Sequence, residues 1–231
     1  MGKGLTRKKH LDPTGFGRDQ DELPEIGSGP LDVRAWFGFE PWTGERNDPK
    51  PLEIELGSGK GTFLAQEAPL CPDTLYLGIE WASQFYRYAA DRMRRLNLAN
   101  VRMLHADGTV FIRNFVPDRS VSQLHWYFPD PWPKARHHKR RTFQEPFLRE
   151  LHRVLTPATD EKAGRIRVAT DHLDYWQWMQ EHAARVADLY EIEPFERPAS
   201  AGEGELVGTN FERKYRREGR TFNGMVLVKK G

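Results

Sequence analysis

The stretch Leu52-Glu-Ile-Glu-Leu-Gly-Ser-Gly-Lys-Gly-Thr62 decides the fold. A short apolar run ends in three alternate glycines, and a helical pattern follows. A glycine-rich turn between strand and helix lets a ligand approach the backbone. Register excludes two phosphate-binding versions of such a turn. A dinucleotide fingerprint, GxGxxG, needs glycine at 62, where Thr62 stands. A phosphate loop, GxxxxGK[ST], needs glycine at 54 and a hydroxyl residue at 61, where Ile54 and Gly61 stand. What remains is Glu55 ahead of Gly57, Gly59 and Gly61. A carboxylate there suits a cationic amino group and would repel a phosphate. The plain alternative is a tight turn without a ligand.

Outward from this turn the pattern repeats. Apolar runs at 52–56, 75–79, 101–105, 121–128 and 165–170 alternate with helical patterns from about 61 and over 82–96, 143–155 and 175–187. That alternation predicts a parallel sheet with helices on both faces. The helix over 82–96 turns Phe85, Ala89, Met93 and Leu96 to its apolar side, and the helix over 143–155 does so with Phe147, Leu148, Leu151 and Leu155. Two weaker strands near 190–195 and 222–229 bring the expected number to seven. The expectation is one Rossmann-like α/β domain over 51–231. Residues 1–50 are rich in Gly, Pro, Asp and Arg and form an N-terminal arm, partly flexible. Within it, 1–30 reads as mobile or loosely docked, whereas the aromatic patch at 33–42 is expected to pack on the domain.

Composition narrows the classes. The 231 residues carry 35 Lys and Arg against 33 Asp and Glu, a net charge of +2. Distribution says more than the total: basic residues gather at 7–9, 134–141 and 213–220. The one cysteine, Cys71, excludes an intrachain disulfide and a thiolate zinc cluster. No apolar run approaches the roughly 20 residues of a membrane helix, and the first ten residues lack a secretory signal. A soluble, cytoplasmic protein without a bound metal is expected.

Acids then fall at the end of one strand after another. Glu80 closes the second strand about 20 residues after the glycines, the spacing of a carboxylate that holds both hydroxyls of an adenosine ribose. Asp107, in His105-Ala-Asp-Gly108, could accept an adenine amino group, cap the next short helix, or do both. The segment His125-Trp-Tyr-Phe-Pro-Asp130-Pro-Trp-Pro-Lys-Ala-Arg-His-His-Lys-Arg-Arg141 is the most informative. Its prolines stiffen the loop leaving a strand and fix Asp130 at the sheet edge. Tyr127 and Trp132 beside a carboxylate suit a base, and the basic run suits phosphates. A solvated charged face is the ordinary reading of such a run; the rigid aromatic and acidic prefix favours nucleic acid. Asp171 ends the fifth strand, and Gly208-Thr209-Asn-Phe-Glu212-Arg-Lys214 mixes hydroxyl, acid and cations. Alone, those two read as a cap and a surface helix.

Together these residues resemble a known family. The Glu-x-Gly-x-Gly-x-Gly turn with a second-strand acid resembles class I S-adenosylmethionine-dependent methyltransferases. The segment Pro129-Asp-Pro-Trp-Pro-Lys134 with its basic run, together with Thr209-x-Phe-Glu-x-Lys214, resembles the tRNA (guanine-N7)-methyltransferases. The resemblance implies a seven-stranded sheet whose last strand is antiparallel, and methylation of N7 of a variable-loop guanine in tRNA. It implies donor binding by Glu55, Gly57, Gly59, Gly61, Glu80, Asp107 and Asp130, with Asp130 as the active-site residue. It implies guanine or tRNA contacts by Lys134, Arg136, Arg140, Arg141, Asp171, Thr209, Asn210, Phe211 and Glu212. No obligatory protein partner is implied, and the chain would act as a monomer or homodimer. The chain departs from the family pattern at Ala135, where a second basic residue is common, and in a longer turn at 156–164. The alternatives are a methyltransferase for another RNA or a small molecule, and a non-catalytic RNA-binding module. The intact glycine turn and paired acids oppose the last.

Overall fold

The structure, a computed structural model, describes residues 10–38, 50–158 and 163–231. The basic cluster at 7–9, the end of the aromatic patch at 39–42 and the middle of the turn at 156–164 lie outside these residues.

One sheet is built from β1 (Gly17–Asp19), β2 (Leu52–Leu56), β3 (Leu75–Glu80), β4 (Val101–His105), β5 (Gln123–Tyr127), β6 (Arg165–Thr170), β7 (Tyr190–Pro194) and β8 (Asn223–Lys229). Their order in space is β1-β4-β3-β2-β5-β6-β8-β7. Every pairing is parallel except those of β8, which runs antiparallel between β6 and β7. The helices are α1 (Thr62–Glu67), α2 (Ser83–Arg95), α3 (Gly108–Phe115), α4 (Glu145–Val154), α5 (Leu173–Ala184) and α6 (Asn210–Arg216).

Period-two alternation sorts the side chains between the two helical layers. Leu52, Ile54, Leu77, Leu124, Trp126, Ile166 and Val168 pack with Phe111, Phe147, Leu151, Tyr175 and Met179 of α3, α4 and α5. On the opposite face, Tyr76, Met103 and Tyr127 meet Phe63, Leu64, Tyr86, Ala89 and Met93 of α1 and α2. That second face also carries Glu53, Glu55 and His125, polar side chains set into the centre of a sheet. The chain steps outward from β2 to β3 and β4, then crosses back to lay β5 on the other side of β2. In open α/β sheets such a reversal opens a ligand crevice beyond the carboxyl ends of the strands.

Three expectations change. The sheet has an eighth strand, β1, inside the segment read as a loosely docked arm. Its three residues show no apolar alternation; backbone pairing with β4 and one buried approach hold it. The Met103 N–H donates to the Phe16 carbonyl at 2.8 Å, and His105 Nδ1 lies 2.9 Å from an Asp19 carboxylate oxygen. The strand at 121–128 shortens to Gln123–Tyr127: Phe128 turns into the left-handed region, φ +53°, and Val121 forms only an isolated bridge with Leu155. On α2, Phe85 and Leu96 are exposed and the buried side is Tyr86, Ala89, Ala90 and Met93. The aromatic patch does pack as expected over its described part: Trp36 and Phe37 lie against the core.

Gly17 admits β1 to the sheet. A Cβ there would stand 2.5 Å from the Tyr86 hydroxyl and 2.9 Å from Pro13 Cβ. Gly17→Ala is therefore expected to cost about 1–3 kcal/mol in urea unfolding, the range for overpacking, and less in a Tyr86→Phe background. An unchanged midpoint would mean that β1 is not seated against α2.

Candidate functional site

The cleft lies where β2, β3, β4 and β5 end. It has two adjoining lobes of about 770 and 580 Å3, which share Gly57, Gly59, Phe85, Tyr127, Phe128 and Phe211 as walls. Gly57, Gly59 and Gly61 all adopt positive φ, from +55° to +72°, which a side chain would resist. At Gly61 a Cβ would also strike Met93, 2.5 Å away, so α1 and α2 pack closely there. Gly57 and Gly59 face open space instead.

Glu80 ties this turn to the next strand. One of its oxygens accepts the Gly59 N–H and the other the Ala82 N–H, each at 2.7 Å. Glu55 is buried on the cleft floor, and its Oε2 finds no hydrogen-bond partner; the Ser58 hydroxyl beside it is likewise unsatisfied. Burial, reinforced by Glu80, pushes the Glu55 carboxyl well above the usual range. An orphaned acid next to a second acid is costly unless a cationic donor group arrives. These residues fit the ammonium end of S-adenosylmethionine. Asp107 caps α3, accepting the N–H groups of Thr109 and Val110 and the Thr109 hydroxyl, all at Oδ1. Its Oδ2 takes no hydrogen bond among the described residues, and Asp107 lines the second lobe.

Asp130 is exposed on the wall of the second lobe. The backbone is left-handed at Phe128 and again at Trp132, φ +42°, so two aromatic residues in this conformation bracket the acid. Phe128 stacks on Phe211 of α6, with ring centroids 5.0 Å apart. Arg140 lies over the Trp132 ring at 4.9 Å and lines the same lobe. Lys134 and Arg136 are exposed, with no ion pair among the described residues.

Arg141 and Glu212, both among the expected contact residues, are buried. Arg141 is 1% exposed: its Nε donates to the Pro131 carbonyl at 2.8 Å, its guanidinium pairs with Asp174, and it stacks on Tyr175 and Trp178. It tethers the Asp130 loop from within. Glu212 is wholly buried, accepting the N–H groups of Leu206, Val207 and Gly208 and an Arg216 nitrogen. Burial alone would raise its carboxyl; these donors together hold it below the usual range. It shapes the segment before α6 and does not face the cleft. Thr209 caps α6 by accepting the Glu212 N–H, while Asn210 donates to the Thr62 hydroxyl at 3.2 Å; both still line the first lobe. Asp171 is ion-paired with Arg220 and lies outside both lobes.

Sequence reading passed over several wall residues. Ser58 and Lys60 lie in the glycine turn itself, so their place could be read from it. The spacing of Phe85 fits the buried side of α2, yet the side chain faces the cleft, with the Lys60 ammonium 5.7 Å over its ring. Lys214 reaches the first lobe from α6.

Comparisons with known proteins bear on the family of the chain. The family model described as "Putative methyltransferase" matches residues 49–224. The tRNA (guanine-N(7)-)-methyltransferase of Thermus thermophilus is 37% identical over 200 residues, covering 87% of this chain and 58% of the relative. That of Corynebacterium diphtheriae is 38% identical, covering 71% and 56%; that of Alkalilimnicola ehrlichii is 35% identical, covering 86% and 76%. The chain thus spans little more than half the length of the first two. Among solved structures, the aminoglycoside resistance methyltransferase NpmB1 aligns with a TM-score of 0.51 at 14% identity, covering 81% of this chain and 95% of that one. Haemonchus contortus phosphoethanolamine N-methyltransferase 2 aligns at 0.50 and 13%, covering 79% and 49%. Those two likenesses concern the fold alone. By its family model and by the length and identity of its sequence matches, the chain belongs to the tRNA (guanine-N(7)-)-methyltransferase family.

Proposed function

We propose that this chain transfers a methyl group from S-adenosylmethionine to N7 of a guanine in tRNA. One observation carries the reading: a single cleft holds a buried, unpartnered carboxylate at its floor and an exposed carboxylate on a stiff, basic loop at its wall. Glu55 and Ser58 accept from the donor's amino group, and the open side of Gly57 and Gly59 admits its amino-acid part. Glu80 retains lone pairs for ribose hydroxyls beyond its two N–H bonds, and Asp107 offers Oδ2 to the adenine amino group. When bound, S-adenosylmethionine supplies a methyl carbon made electrophilic by a positively charged sulfur.

Guanine N7 bears an in-plane lone pair and no hydrogen, so no side chain has to remove a proton. The protein's work is alignment and charge matched to what develops on the purine. Asp130 accepts from the guanine N1–H and amino edge, and the Phe128–Phe211 stack offers the base a flat wall. Lys134, Arg136 and Arg140 meet backbone phosphates. Asp171 positions Arg220 beside this path.

Two tests follow from this assignment. Labelled S-adenosylmethionine incubated with unmodified tRNA is expected to yield 7-methylguanine. A 7-deaza analogue at the target guanine should abolish transfer while tRNA binding stays nearly intact. A methylated 7-deaza product, or label on another atom or only on another RNA, would contradict the proposal. The second test separates the adjacent arginines. Arg140→Ala should weaken tRNA binding and flatten the slope of log affinity against log salt by about one unit, without loss of stability. Arg141→Ala should instead lower unfolding stability by about 2 kcal/mol or more. Equal effects of the two on the salt slope would return Arg141 to the RNA surface.

A further inference from the structure

On the α1 face of the sheet a chain of hydrogen bonds runs inward from the surface, and each link fixes the direction of the next. Arg167 can only donate; its Nε donates to Gln123 Oε1 at 2.9 Å. The Gln123 amide is thereby turned with its NH2 toward Glu53, whose Oε2 accepts at 3.2 Å. His125 Nε2 lies 2.7 Å from the same Glu53 oxygen and 3.2 Å from the Gln123 amide nitrogen; the shorter contact, to an oxygen that can only accept, places the ring proton on Nε2. In the neutral imidazole with its proton on Nε2, Nδ1 is bare. The Tyr127 hydroxyl stands 2.8 Å from Nδ1 and donates to it. Burial holds Tyr127 well above the usual phenol range, so it keeps that proton. Its oxygen is left able only to accept.

Glu55 is level with His125 across the β2–β5 pair, on the same face. The Tyr127 hydroxyl, bonded to His125, is therefore within a side chain's reach of Glu55, and Glu55 and Tyr127 both line the first lobe. Phe63 packs against His125 and Tyr127, at 4.6 and 5.2 Å between centroids, and holds the pair in place. Glu55 Oε2 has no partner, and Tyr127 cannot supply one because its proton is committed to His125. The floor thus sets the Tyr127 oxygen as an acceptor beside Glu55 and the Ser58 hydroxyl, a set that suits a cationic group with several N–H bonds once Glu55 ionises to meet it.

We propose that Tyr127, held as an acceptor by the Glu53–His125 pair, is a second recognition residue beside Glu55 for the amino group of the methyl donor. The inference rests on the donor assignment above. It is tested by calorimetry at pH 8 with two probes: S-adenosylhomocysteine, and 5′-methylthioadenosine, which lacks the amino-acid part. Tyr127→Phe is expected to weaken S-adenosylhomocysteine binding about tenfold, as for a lost hydrogen bond to a charged group, and to leave 5′-methylthioadenosine unchanged. Glu53→Gln frees the ring proton from Nε2 and is expected to show the same selectivity without touching the cleft. Loss of affinity for both probes together would make Tyr127 merely structural and overturn the inference, as would unaltered binding of both. If the parent binds neither probe, the donor assignment falls and takes this inference with it.

Discussion

Glu80 holds two backbone N–H groups, one on each side of the cleft's entrance, and the site depends on that clamp. Three left-handed glycines make a turn with much conformational freedom to lose. Hydrogen bonds to a carboxylate are worth about 1.5–3 kcal/mol each, enough to hold such a turn in one shape. The clamp also fixes where β2 ends relative to β3, and hence where Glu55 sits beneath the opening. With the turn fixed, Gly57 and Gly59 offer backbone and open space together.

The same clamp places two carboxylates close together, and that arrangement has an electrostatic consequence. Burial and the neighbouring acid both oppose ionisation of Glu55. A cation delivered to the cleft reverses the balance, since an opposite charge at short range favours the charged form. Glu55 thus contributes little to the fold and is suited to meet a cation. The other end of the cleft is built differently. There a buried arginine, Arg141, grips the backbone one residue from Asp130 and stacks between two aromatic rings. Asp130 stays exposed and free while its loop is rigid, as expected of a group that acts by position.

Most of the architecture was legible in the sequence because it follows from periodicity and turn chemistry. The glycine turn, the strands at 52–56, 75–79, 101–105 and 165–170, and the acids at their ends are local signals. What escaped depends on tertiary contacts. β1 has no pattern of its own and exists through pairing with β4. Arg141 and Glu212 look like surface charges in a charged run, yet packing on α5 and on the segment before α6 draws them inside. Phe85 has the spacing of a core residue and lies instead on the cleft wall under Lys60. The polar row Glu53, Gln123 and His125 is invisible in one dimension, because it forms only when β2 and β5 come side by side.

The central claim is that Glu55 is the counter-charge for a cationic donor. Its test is the proton balance of binding, measured by calorimetry with S-adenosylhomocysteine in buffers of different ionisation heat. Because Glu55 starts with a raised pKa and must ionise to meet the amino group, binding should release a proton on the acid side, and affinity should rise with pH until Glu55 is ionised in the free protein. Glu55→Gln should weaken binding and remove both the proton release and the pH dependence. Affinity independent of pH with no proton released, or a Glu55→Gln variant that behaves like the parent, would contradict the account.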